Sequence, residues 1–115
     1  MTPGSIVVVD WLDALPGTGE PGKQRPAVVV GRDDLYHANF GSLLVVPLTS
    51  DAALRVGEAT VEIAPTKENR CLKRCYALSW NVLTVPKRRI RATEAHVTEA
   101  QVTALRDQIA RLVNR

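Results

Sequence analysis

The chain has 115 residues, of which 45% are hydrophobic, 23% charged and 4% aromatic. This length and composition predict one folded domain over residues 1–115 and exclude an intrinsically disordered chain. Fifteen basic against twelve acidic residues give a net charge of +3, a mild indication of a polyanionic partner. No apolar run has the length of a membrane span, and the N-terminus shows no secretion signal, so we expect a cytoplasmic protein without a membrane partner.

The first predicted element is a strand over residues 6–11, where three consecutive valines supply β-branched side chains. Residues 12–23 follow as a connection with two prolines and three glycines, and they include Glu20 and Lys23. A loop of this length is a candidate lid or binding loop, although a connection without a role fits the same pattern.

Two short apolar runs, residues 27–30 and 43–46, predict buried strands. Arg25-Pro26 stands at the entrance of the first run, and Pro47-Leu48-Thr49-Ser50 closes the second. Because proline disfavours the helical region for the residue before it, Arg25 should be extended as it enters its strand. Residues 33–39, between the two strands, predict one or two helical turns.

If these two strands are antiparallel neighbours, the start of one lies beside the end of the other. Arg25 would then share one rim of the sheet with the hydroxyl groups of Thr49 and Ser50. A guanidinium beside hydroxyl donors on rigid strands is suited to holding a phosphate. The residues alone leave the alternative open that Arg25 is a solvated side chain and that Thr49-Ser50 is an ordinary turn.

The second half of the chain predicts further short strands and a C-terminal helix. Residues 58–63 alternate apolar and polar side chains, as half-buried strands do, and residues 76–78 and 82–85 are also predicted strands. Thr98 and Gln101 form a capping-box pattern at the start of the helix. The apolar stripe of the helix consists of Val102, Leu105, Ile109 and Leu112. Together these elements predict a small β-rich α+β domain.

Three sequence motifs carry a resemblance to a known family. They are G-E-P-G-K-Q-R-P-A-V-V-V from Gly19 to Val30, D-L-Y-H-A from Asp34 to Ala38, and V-V-P-L-T-S from Val45 to Ser50. Their order and spacing resemble those of the MazF/PemK toxin family, and the resemblance extends from Gly4 to the C-terminal helix. It implies a small SH3-like β-barrel with a C-terminal helix and a short inserted helix, a fold shared with the CcdB toxins.

The residues can support RNA cleavage without a cofactor, because the 2′-hydroxyl of the substrate is itself the nucleophile. Arg25 would stabilise the negative charge of the phosphorane, and Thr49 would donate a hydrogen bond to a non-bridging oxygen. Glu20, if its loop folds over the site, could take the proton from the 2′-hydroxyl. Because arginine stays protonated in proteins, an electrostatic role fits Arg25 better than a general-acid role.

The resemblance implies the same chemistry in more detail. It implies the toxin of a type II toxin–antitoxin system, a metal-independent, sequence-specific endoribonuclease that leaves a 2′,3′-cyclic phosphate and a 5′-hydroxyl. Arg25 and Thr49 match the family's catalytic residues, and Glu20 matches its loop glutamate. A homodimer that binds single-stranded RNA and an antitoxin with an acidic disordered tail are also implied. The residues that we expect to contact RNA are Lys23, Gln24, Ser50, Trp80 and Asn81.

The sequence departs from many relatives where they carry Cys-Asp-Gln and, two residues later, arginine. This chain has Ser79-Trp80-Asn81 and then Leu83. Asn81 can still contact a base edge, and Trp80 could stack on a base, which contributes roughly 1–3 kcal/mol, or pack in the core or a dimer interface. Two other functions therefore stay open: a toxin of this fold that binds DNA gyrase, and a catalytically silent module that binds the antitoxin or its promoter complex.

Two basic clusters and a pair of cysteines complete the candidate residues. Each cluster could guide an RNA backbone or be a solvated loop. The clusters are Lys67, Arg70, Lys73 and Arg74, and Lys87, Arg88, Arg89 and Arg91. Cys71 and Cys75 lack the further Cys or His ligands of a zinc site, so we expect them to be packing residues.

Overall fold

The structure is a computed structural model that describes residues 1–10, 24–37 and 39–113. Within these residues, seven strands form one antiparallel sheet, and a helix follows the last strand. The strands are β1 (Ser5–Asp10), β2 (Gln24–Val29), β3 (Ser42–Thr49), β4 (Val61–Ile63), β5 (Cys75–Ala77), β6 (Leu83–Pro86) and β7 (Ile90–His96), and the helix is α1 (Glu99–Val113). This architecture confirms the predicted fold class.

The strand order is β4-β5-β3-β2-β1-β7, with β6 paired to β3 beside this path. The path ends at β4 and β7, so in the part of the chain that the structure describes the sheet is open. β3 is long because it serves two partners on one side: its first half pairs with β6 and its last two residues pair with β5. Pro47 stands where the partner changes, and its carbonyl accepts a hydrogen bond from the backbone N–H of Leu78 at 2.9 Å.

The sheet buries apolar side chains on both faces, because successive residues of a strand point to opposite sides. On one face, core residues of β1 to β3 pack with Val102 and Leu105 of α1. On the other face, alternate residues of the same strands pack with Val85 of β6. The first set includes Ile6, Val28, Val46 and Leu48, and the second includes Val7, Val9, Ala27, Val29 and Val45.

Helix α1 begins as the sequence predicts. Thr98 Oγ1 accepts from the N–H of Gln101 at 3.1 Å, and Gln101 Oε1 accepts from the N–H of Thr98 at 2.9 Å, which is the capping-box arrangement. Three residues of the predicted stripe pack against the sheet, whereas Leu112 is 46% exposed. Arg106 Nε donates to the carbonyl of Val30 at 2.9 Å and so ties the helix to the end of β2. No helix among the described residues has both the length and the apolar character needed to cross a membrane.

The sequence analysis misses one strand and predicts the turn between β2 and β3 correctly. It predicts no strand over residues 90–96, where the structure has β7, an edge strand in which only Ala95 is buried and an apolar pattern is therefore missing. The one or two helical turns predicted over residues 33–39 are a single turn in the described part, closed by a hydrogen bond from the N–H of Tyr36 to the carbonyl of Arg32 at 2.9 Å. There Arg32 forms an ion pair with Asp34, which lowers the pKa of that carboxyl group.

Candidate functional site

The rim where β2 begins and β3 ends holds two of the predicted catalytic residues. The two strands are antiparallel, with Ala27 opposite Pro47. Because the strands run in opposite directions, the start of β2 with Arg25 and the end of β3 with Thr49 meet at the same rim. Both side chains are half-buried, and both line one cavity of about 690 Å³. Arg25 and Thr49 therefore line the same cavity, and their catalytic roles stay predictions.

The cavity has an apolar floor and a polar mouth. Ile6, Leu48 and Ala95 form the floor, and all three belong to the core that packs against α1. Gln24 and Ser50 line the cavity beside Arg25 and Thr49, and both are exposed. An apolar floor beneath polar groups restricts where a bound polar group can sit, because the floor offers it no hydrogen bonds.

The hydroxyl group of Thr49 is held in one orientation by the turn that follows β3. Thr49 Oγ1 accepts a hydrogen bond from the N–H of Asp51 at 3.1 Å. The carboxylate of Asp51 accepts in turn from the N–H of Ala53 at 2.9 Å and caps the short 3-10 turn Ala52–Leu54. Since Thr49 Oγ1 acts as an acceptor in this turn, its hydrogen is available to a ligand oxygen in the cavity.

One wall of the cavity is a loop that is organised by a buried asparagine. The side chain of Asn69 is 4% exposed. Its Oδ1 accepts from the N–H groups of Thr66 and Cys71, each at 2.9 Å, and its Nδ2 donates to the carbonyl of Ala64, also at 2.9 Å. These bonds fold the loop so that its residues line the cavity, among them Arg70, Leu72 and Lys73. Asn69 was missed by the sequence analysis, although Thr66 and Asn69 three residues apart are typical of a side-chain-bonded turn.

The opposite wall is formed by a β-bulge in β7. The pairing of β1 with β7 shifts register between Ser5 and Val7. The hydroxyl group of Thr93 donates to the carbonyl of Ile6 and accepts from the N–H of Ala95, so it satisfies backbone groups that the bulge leaves unpaired. Thr93 lines the cavity, yet its hydroxyl group serves the fold. Bulges often lie beside active sites, where they redirect a strand.

A comparison with known protein families gives a match over nearly the whole chain. A family model described as PemK-like, MazF-like toxin of type II toxin–antitoxin system matches residues 2–113. The chain belongs to this family. The predicted family is thereby confirmed, and the protein is a MazF/PemK-like toxin of a toxin–antitoxin system. No curated protein sequence matches the chain.

Solved structures of MazF proteins share the fold of this MazF-like toxin. MazF (Form-I) from Deinococcus radiodurans has a TM-score of 0.73 at 18% identity, and the match covers 100% of this chain and 97% of that one. A MazE–MazF complex from the same organism gives a TM-score of 0.70 at 18% identity, covering 98% and 95%. An endoribonuclease in complex with its cognate antitoxin, from a mycobacterial species, gives 0.70 at 19% identity, covering 96% and 92%. At these identities the likeness shows the fold.

The other predicted site residues of the toxin either do not line this cavity or lie outside the described residues. Trp80 and Asn81 belong to the 3-10 turn Ser79–Asn81 and do not line the cavity of Arg25 and Thr49. The ring of Trp80 is 39% exposed, and its Nε1 donates to the carbonyl of Leu54 at 3.2 Å. Glu20 and Lys23 lie outside the described residues. Their roles stay predictions.

Both cysteines of the toxin line the same cavity as free thiols. Burial, with a further contribution from Cys75, raises the pKa of Cys71 to about 11. Cys71 is therefore a neutral thiol at physiological pH, in keeping with the packing role expected for it. Among the residues that the structure describes, no group of three or more His, Cys, Asp or Glu side chains is placed to hold a metal ion.

Proposed function

We propose that this MazF-like toxin is a metal-independent, sequence-specific endoribonuclease that cleaves single-stranded RNA. The 2′-hydroxyl of the substrate attacks the adjacent phosphate, and the products carry a 2′,3′-cyclic phosphate and a 5′-hydroxyl. The observation that carries the proposal is that Arg25 at the start of β2 and Thr49 at the end of β3 line one cavity. The mycobacterial structure with the same fold is described as an endoribonuclease.

Arg25 holds the scissile phosphate in this proposal. Its guanidinium stays protonated and can donate two parallel hydrogen bonds to non-bridging oxygens, which gain negative charge in the phosphorane. Removing one such preorganised donor from an active site lowers kcat by about 10²–10³-fold. Pro26 and the pairing of β2 with β1 fix the backbone from which this side chain extends.

Thr49 and the loop glutamate complete the reacting groups. The hydroxyl of Thr49 donates to a phosphate oxygen while the N–H of Asp51 fixes its position. Glu20 takes the proton from the 2′-hydroxyl in this scheme, a role that we carry forward from the sequence. At the mouth of the cavity, Gln24 and Ser50 contact the RNA backbone next to the scissile phosphate. Lys23, Trp80 and Asn81 contact RNA beyond that cavity.

We also propose that the toxin forms a homodimer and is neutralised by an antitoxin whose acidic, disordered tail folds on binding. Such a tail carries the same sign of charge as RNA and competes for the same cationic side chains. MazF from Deinococcus radiodurans, which has the same fold, is solved in complex with MazE.

The test is cleavage of a single-stranded RNA by the purified toxin in EDTA, with chemical mapping of both ends. Arg25→Ala and Thr49→Val should each lower the cleavage rate by about 10²–10³-fold, whereas Arg25→Lys should retain part of it because the charge remains. Arg111→Ala is the matched control, since Arg111 is exposed on α1 and lines none of the described cavities. Thermal unfolding of every variant separates lost chemistry from lost structure.

Intact RNA with folded wild-type toxin would contradict the proposal and favour the catalytically silent module. Inhibition of DNA gyrase by the same preparation would then favour the gyrase-binding toxin. Cleavage that persists in both Arg25→Ala and Thr49→Val, or products with a 3′-hydroxyl, would contradict the assignment of this reaction to the cavity. A substrate with a single 2′-deoxy sugar at the cleaved position should be resistant, because it lacks the nucleophile.

A further inference from the structure

A second cavity, of about 220 Å³, lies beside the one that contains Arg25 and Thr49. It is formed where β1 and β2 meet the turn before β7. Three arginines and one carboxylate provide its charged groups. The lining residues are Val8, Asp10, Gln24, Arg88, Arg89, Ile90 and Arg91.

The two cavities adjoin at the start of β2, where Gln24 lines both. Val8 of β1 is paired with Arg91 on one side and with Pro26 on the other, so these three residues form a row across the sheet. Directly paired residues project to the same face. Pro26 lines the first cavity, and Gln24 lines both. Neighbouring strands lie about 5 Å apart, so the row spans about 10 Å, a length that one short stretch of RNA strand can bridge.

The arginines of the second cavity form no ion pair with the described residues, and one of them has a buried donor. Within the described ranges of the chain, no carboxylate forms an ion pair with Arg88, Arg89 or Arg91. Arg89 Nε is buried and has no hydrogen-bond partner. Asp10 lines the cavity but does not approach them within ion-pair distance. A buried guanidinium donor without an acceptor is expected where an anionic ligand supplies one.

We propose that this second cavity binds a backbone phosphate of the same RNA strand whose scissile phosphate sits between Arg25 and Thr49. The inference rests on the proposed function and adds a path for the strand: from Arg25, past Gln24, to Arg88 and Arg91. A phosphate suits the site because guanidinium groups match its oxygens, and because Gln24, which lines both cavities, places the site beside the phosphate held by Arg25. An acidic peptide is the competing occupant.

The experiment measures the affinity of full-length toxin for a 2′-O-methyl RNA oligonucleotide, which cannot be cleaved, over a range of salt concentrations. For single strands, each phosphate contact contributes about 0.7 to the slope of log K against log[salt]. Arg88→Ala and Arg91→Ala should each reduce that slope by about 0.7 and weaken binding at low salt by about tenfold. Asp10→Asn should tighten binding, because it removes a negative charge from the cavity. Arg111→Ala should change neither quantity.

An affinity and slope that stay at wild-type values in both arginine variants overturn the proposal. The proposal is also overturned if the arginine variants lose binding to a poly-glutamate peptide but still bind the oligonucleotide normally, since the site would then take an acidic peptide. A changed elution volume on size exclusion with an unchanged slope would make the cavity a subunit contact and overturn it as well. If Arg91→Ala reduces the slope but the wild-type toxin does not cleave RNA, the phosphate site is supported and the nuclease is contradicted. If the wild-type toxin cleaves RNA but Arg91→Ala leaves the slope unchanged, the nuclease is supported and the phosphate site is contradicted.

Discussion

Replacing Asn69 with alanine should destabilise the toxin strongly, although Asn69 is a polar residue in a loop. The side chain makes three hydrogen bonds to backbone groups of that loop, at Thr66, Cys71 and Ala64. At about 1 kcal/mol for each net hydrogen bond, Asn69→Ala lowers the free energy of unfolding by about 3 kcal/mol. An unfolding entropy of about 2.1 cal/mol/K per residue converts this loss into a fall in Tm of roughly 12 °C for 115 residues.

Denaturant unfolding and thermal unfolding both measure this loss, and two further variants calibrate it. Thr66→Val removes only the hydroxyl that accepts from the N–H of Asn69 at 3.0 Å, so it should cost about 1 kcal/mol. Asn39→Ala removes an exposed asparagine and should cost close to nothing. Cleavage by Asn69→Ala, measured below its Tm, should also fall, because Arg70 and Lys73 lose their fixed places on the cavity wall.

The reasoning fails if Asn69→Ala unfolds within about 1 kcal/mol of wild type, or if Thr66→Val costs as much as Asn69→Ala. Either result would mean that the loop finds other partners for its backbone groups. A normal cleavage rate in a strongly destabilised Asn69→Ala would show that the loop does not contribute to the reaction.

Three further predictions concern the fold around the site. Gln108→Ala breaks the bond to the fully buried hydroxyl of Ser79, 2.6 Å, and one to a backbone carbonyl, and should lower the free energy of unfolding by about 2 kcal/mol in urea titrations. Gly31→Ala would put a Cβ 2.6 Å from the ring of Tyr36, so thermal unfolding should show a loss of about 1–3 kcal/mol from overpacking. Because the pKa of Cys71 is raised to about 11, its thiolate is scarce at pH 8, and alkylation followed by mass spectrometry should be about tenfold slower than for a free thiol and accelerate as the pH rises towards 11.

Each of these has a result that contradicts it. Wild-type stability of Gln108→Ala would mean that water replaces both lost partners. A stable Gly31→Ala would show that the tyrosine ring moves aside without cost. Alkylation of Cys71 that reaches its plateau near pH 8 would show a thiol in ordinary solvent, and Cys75→Ser should speed the reaction, because Cys75 contributes to the raised pKa.

Most of the strands could be predicted because their signal is local. The valine-rich runs of β1, β2 and β3 are buried on both faces of the sheet, and such strands are apolar throughout. β7 carries no such signal, since it lies at an edge and depends on pairing with β1 for its backbone hydrogen bonds. The capping box of α1 was predicted from two residues, because a helix start is decided within one turn.

The sequence alone identifies the residues at the centre of the candidate site: an arginine that opens one strand and a threonine that closes the next, both marked by prolines that fix the backbone. Their surroundings follow from the tertiary fold. The loop held by Asn69, the bulge bridged by Thr93 and the arginines beyond Gln24 reach two adjoining cavities from distant parts of the chain. Their positions follow from strand register and from a bulge, and neither is encoded in a local pattern of residues.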